Sequence, residues 1–127
     1  MTMKKIRTVG SHQKIGVSLS NVLKQVVKMA IIAIPDEAKT LAVIMDDPDA
    51  MGAVGKVWVH WLYYEFPSDY PNTIFNAVQG KTDFDEIGYG GPAPPDKRHT
   101  YVFKAYALDV KLDLKEGYSK QELENAM

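Results

Sequence analysis

The segment Val57 to Phe66 constrains this chain more than any other, because it is rich in β-branched and aromatic residues. A strand's period of two puts Trp58, His60, Leu62 and Tyr64 on one face and Val57, Val59, Trp61 and Tyr63 on the other. Both faces are apolar apart from His60, so the strand is expected to be covered on both sides, as in a sandwich or beneath a helix. A lone imidazole in that setting is more often a hydrogen-bonded core group than a ligand or catalyst, since an unpaired buried ring is costly.

Two further strands are legible. Leu41 to Met45 is a continuous apolar run closed by Asp46-Asp47-Pro48-Asp49, a buried strand ending in an acidic turn. Thr100 to Leu108 has Tyr101, Phe103, Ala105 and Ala107 on one face, with His99 preceding them in the same parity. Between Val17 and Ile34 the apolar residues recur at helical spacing, with Pro35 as a stop. Asn76 to Gly91 carries four glycines among polar residues and reads as a long surface excursion. Ser119-Lys120-Gln121-Glu122 fits a capping box, and the short helix behind it must dock its Leu123 face to persist.

A chain of 127 residues fits a single domain, 1–127. Its 15 basic and 16 acidic side chains give a net charge of −1, which supplies no general attraction to nucleic acid or anionic membranes. Any anion site must therefore be local. The chain has no cysteine, which excludes disulfides, thiolate catalysis and zinc-thiolate sites and fits a reducing compartment, with the cytoplasm as the default. The apolar stretch Met29 to Ile34 is too short for a membrane span and lacks a cleavage site behind it.

The candidate chemistry lies in the turns. Asp46, Asp47 and Asp49 could ligate a hard cation, but the calcium-loop template fails, with Met51 and Trp58 where oxygen ligands belong. An acidic turn using Asx hydrogen bonds around Pro48 is the better reading. His99, just after a rigid proline turn, raises the functional standing of His60: two imidazoles and an aspartate can bind an anion or relay a proton. Neutral imidazoles can each offer one N–H, and protonation adds charge. Gly90-Gly91-Pro92-Ala93-Pro94-Pro95 lacks nucleotide-loop spacing and is a stiff loop suited to positioning Tyr89 and His99. No activated nucleophile is evident.

Taken in order, Leu41 to Ala50, Val57-Trp58-Val59-His60-Trp61 and Gly88 to Pro95 with His99-Thr100-Tyr101-Val102-Phe103 closely resemble the phosphatidylethanolamine-binding protein family, in its bacterial and archaeal Raf-kinase-inhibitor-like branch. The resemblance runs from about Ile34 to Met127. It implies a mainly β, antiparallel, sandwich-like fold with short peripheral helices and a small pocket for phosphate or similar groups. Carried over by resemblance, Asp47 and Asp49 match the acidic pair of the first motif and His60 its pocket histidine. Pro94 and Pro95 match the proline wall, and His99 and Tyr101 the last motif; Tyr89 and Gly91 join the expected ligand-binding set. Met51 stands where the family usually has proline, and Thr100 where it usually has arginine. Residues 1–33 are atypical, and the C-terminal end is expected to be shortened relative to the family.

The function this implies is non-catalytic binding of a small anion or phosphorylated head group, with a kinase or protease inhibitor-like regulatory role. No cofactor and no metal are expected. The partners implied are that small anionic ligand, a protein and a second copy in a homodimer. The alternative is a histidine-dependent enzyme acting on a phosphorylated small molecule.

Overall fold

The structure, a computed structural model, describes residues 3–12, 38–69, 77–90 and 100–127. The helix expected between Val17 and Ile34 lies outside them. The described elements are strand β1 (Met3–His12), strand β2 (Thr40–Asp47), helix α1 (Ala50–Val54), strand β3 (Trp58–Glu65), a 3-10 turn at Pro67–Asp69, strand β4 (Val78–Gln79), strand β5 (Thr100–Leu108) and helix α2 (Lys120–Ala126). The strands form one antiparallel sheet in the order β1-β5-β2-β3-β4. The fold is mainly β, and the three strands legible in the sequence are three of the five among the described residues.

All eight residues of β2 are buried, as a central strand covered on both faces requires. One face gathers Leu41, Val43, Met45, Trp61, Tyr63 and Phe103. The other gathers Ala42, Ile44, Leu62, Tyr64 and Leu108 beneath Leu112, Tyr118 and Leu123 of the C-terminal segment. That segment is tied down by polar contacts as well. Thr40 Oγ1 donates to Val110 O at 2.7 Å, Tyr64 Oη donates to Leu114 O at 2.8 Å, and Tyr118 Oη donates to Val78 O at 2.8 Å. Helix α2 carries the expected capping box, with the Ser119 hydroxyl accepting from Glu122 N and the Glu122 carboxylate accepting from Ser119 N. Its Leu123 is fully buried.

Period-two reading fails at one place, and that place positions the site. β2 and β3 pair from Leu41↔Glu65 to Met45↔Trp61, and then Asp46 pairs with Val59, so His60 is an extra residue on β3. This β-bulge reverses the alternation on its N-terminal side. Val59 joins Leu62 and Tyr64 on one face. His60 instead lies on the face of Trp61, its ring edge-on to Tyr101 at 5.0 Å and 88°. The expected grouping of His60 with Leu62 and Tyr64, and of Val59 with Trp61 and Tyr63, is therefore corrected.

The segment from Ala77 to Gly90 is more than a surface excursion. Val78 and Gln79 extend the sheet as β4, and Gly80 and Thr82 are buried. Gly90 N–H donates to His60 O at 2.7 Å, so the segment's end is bonded to the bulge itself.

Candidate functional site

The end of β2 divides two adjacent aspartates between opposite sides, as successive strand residues must be. Asp46 turns toward α2, where Lys104 Nζ and Lys120 Nζ approach Oδ2 at 3.4 and 3.3 Å. Asp47 turns the other way. It is buried, and its Oδ1 accepts the Ala50 N–H at 3.2 Å, which holds the start of α1 after the Pro48-Asp49 turn. The second Asp47 oxygen, Oδ2, stands 4.0 Å from His60 Nε2.

His60 is fixed from its other nitrogen, with Nδ1 at 2.8 Å from Gly90 O. A carbonyl oxygen only accepts, so Nδ1 carries the proton and neutral His60 turns a lone pair at Nε2 toward Asp47. Around these two groups lies a recess partly continuous with solvent, walled by Ala50, Val54, Trp58 and Phe84. Trp58 and His60 both meet the Phe84 ring edge-on, at 5.6 and 5.1 Å. Trp58 Nε1 is buried without a hydrogen-bond partner among the described residues, whereas Trp61 Nε1 donates to Gln79 Oε1 at 2.7 Å. Leaving an indole N–H buried and unpaired costs on the order of 1–3 kcal/mol unless a ligand or water accepts it.

Of the residues expected to bind ligand, Asp47 and His60 are brought together at the recess floor. Tyr101 is buried and supports the His60 ring from behind without lining the recess. Tyr89 packs edge-on against Trp61 at 5.7 Å and 88°, and burial raises its phenol pKa; it does not line the recess. Asp49 is exposed at the N-cap of α1 and lies off the recess lining. Gly91, Pro94, Pro95 and His99 lie outside the described residues.

Trp58, Phe84 and Val54 line the recess and were not anticipated. Trp58 read as ordinary strand apolarity, and Phe84 as one residue in a polar loop. Among the described residues no group of three or more His, Asp or Glu is placed to hold a metal ion. No helix among them is long and apolar enough to cross a membrane.

Residues 6–127 match the family described as Phosphatidylethanolamine-binding protein, and the chain belongs to that family. The match begins well before Ile34, so the likeness extends into β1. The chain is 43% identical over 104 residues to a UPF0098 protein of Methanothermobacter thermautotrophicus, covering 74% of this chain and 67% of the relative. It is 46% identical over 101 residues to a UPF0098 protein of Chlamydia muridarum, with the same shares covered. Among solved structures, a phosphatidylethanolamine-binding protein homologue from Chlamydia trachomatis aligns with a TM-score of 0.63 at 42% identity, over 73% of this chain and 65% of that one. Escherichia coli YbcL, described as a new member of the mammalian family, aligns with a TM-score of 0.59 at 32% identity over the same shares. The chain thus spans about two thirds of the length of these relatives.

Proposed function

We propose that this protein binds a small anionic head group, of the phosphate class, in the recess between α1 and the turn carrying Phe84, and that it does so without catalysing a reaction. The observation that carries this reading is the buried N–H of Trp58, without a partner among the described residues, on a side chain that lines the same recess as His60. An anionic oxygen accepts from that indole, and a protonated His60 supplies a second N–H at Nε2 with Asp47 stabilising its charge. Family membership supports a small-ligand role, and a kinase or protease as protein partner is part of the same proposal. The absence of cysteine supports a cytoplasmic setting.

The test is calorimetric titration with inorganic phosphate at pH 6. Trp58→Phe and His60→Ala are each expected to weaken binding at least fivefold, as loss of a charge-assisted hydrogen bond does. Unchanged affinity in both variants overturns the assignment. Hydrolysis of p-nitrophenyl phosphate that disappears in His60→Ala overturns its non-catalytic part.

A further inference from the structure

The binding reading leaves Phe84 unexplained. The residue is 39% exposed, yet its place is fixed from several directions. Asp83 N–H donates to Val59 O at 3.0 Å, while Asp83 Oδ2 accepts the Val59 N–H at 2.7 Å and Oδ1 takes Lys56 Nζ at 2.8 Å. On the other side, Phe84 N–H donates to Thr82 Oγ1 at 3.2 Å, and Asp85 closes the turn with a positive φ of 65°, its N–H reaching Thr82 O at 3.0 Å. A non-glycine residue in that backbone region is uncommon and carries a conformational cost. Behind the ring, a Cβ on Gly90 would stand 2.5 Å from Phe84 Cδ2, so glycine is what lets the ring lie there.

A chain that only needed to hide Phe84 would turn it into the core. This one locks the ring, partly in water, at the mouth of a recess whose floor is polar. Val54, 50% exposed, adds a second apolar group to the same walls. An anion alone makes no use of such walls, whereas a carbon-bearing substituent on the anion does.

We propose that Phe84 is the specificity-determining residue of the recess, selecting anionic head groups that carry an apolar substituent over the bare anion, with Asp83 as the positioning residue that holds the Phe84 turn to the His60 bulge. This rests on the head-group reading above. The head group lies at Trp58 Nε1 and His60 Nε2, and the substituent lies against the Phe84 ring.

The test compares inorganic phosphate with phenyl phosphate by titration into the full chain. The native protein is expected to bind the phenyl ester about five- to tenfold more tightly, the gain of an aromatic contact with its apolar burial. Phe84→Ala is expected to weaken phenyl phosphate at least fourfold more than it weakens inorganic phosphate, and Phe84→Tyr, which keeps the ring, to preserve the preference. Asp83→Ala is expected to lose the preference while Asp83→Asn, which keeps an acceptor for Val59 N–H, restores it. Equal native affinities, or a preference that survives Phe84→Ala, overturn this inference alone. Binding of neither compound to the native chain overturns the head-group reading and this inference with it.

Discussion

The His60 Nδ1–H donates to the Gly90 carbonyl oxygen at 2.8 Å, and this bond decides what the imidazole offers the recess. A neutral imidazole has one N–H, and here it is already spent, so Nε2 faces Asp47 as an acceptor. Only imidazolium donates from Nε2. The expectation that neutral His60 gives an N–H to an anion is corrected by this geometry, and the pH dependence of binding becomes sharper for it.

Anion affinity is therefore expected to rise as pH falls from 8 to 6, because only the protonated ring can donate from Nε2. Sulfate, whose charge is constant over that range, isolates the contribution of the protein. His60→Gln, which cannot gain a proton, is expected to bind with a flat profile. A flat profile in the native chain shows that His60 is not the group that responds.

Asp47 has a structural duty that can be separated from its charge. Asp47→Ala removes the acceptor for Ala50 N–H and is expected to cost about 1 kcal/mol of stability in urea denaturation, the usual loss for a helix-start acceptor. Asp47→Asn keeps an oxygen there and is expected to cost less than half as much, while weakening anion binding at pH 6 by removing the partner of charged His60.

At the outer edge of the recess, Asp83 and Lys56 form an ion pair whose members are not equal. Asp83→Ala strands the Val59 N–H at the bulge and is expected to cost about 1–2 kcal/mol, whereas Lys56→Ala removes a half-exposed cation and should cost about 0.5 kcal/mol or less. Equal losses in the two variants would show that the pair, not the backbone bond, stabilises this corner.

Buried phenols set an alkaline limit on stability. Desolvation, with Glu65 beside Tyr63 and Tyr64 beside Tyr118, pushes both phenols far above their ordinary range. Above about pH 10 the unfolded chain releases these protons and the folded chain keeps them, so stability that is full below pH 10 falls as pH rises. The slope expected is about 1.4 kcal/mol per pH unit for each phenol. Urea midpoints measured from pH 9 to 11 check it; Tyr118→Phe should shallow the fall.

The central strands were legible because apolar runs of strand length have few other readings. Thr100 to Leu108 was bounded as it is found, and Leu41 to Met45 was short by one residue at its start and two at its end. The bulge was not legible, since inserting His60 into an unbroken apolar run leaves no glycine or proline to mark it. Helix α1 is five residues with a glycine inside, and β4 is two residues, both below what periodicity can register. The motifs pointed to Asp47 and His60, which carry polar chemistry. Trp58 and Phe84 escaped because an aromatic residue reads as core until its unpaired N–H or its exposed ring is seen.

The chain has two tryptophans, and they differ in the respect that matters: Trp61 N–H is bonded to Gln79, and Trp58 N–H is buried without a partner among the described residues. Their indole N–H resonances can be followed separately by ¹H–¹⁵N NMR, with Trp58→Phe giving the assignment. On titration with phosphate at pH 6, the expected result is a saturable downfield shift of the Trp58 resonance while that of Trp61 stays in place. A Trp58 resonance that does not move, or a shift confined to Trp61, contradicts an anion site in this recess.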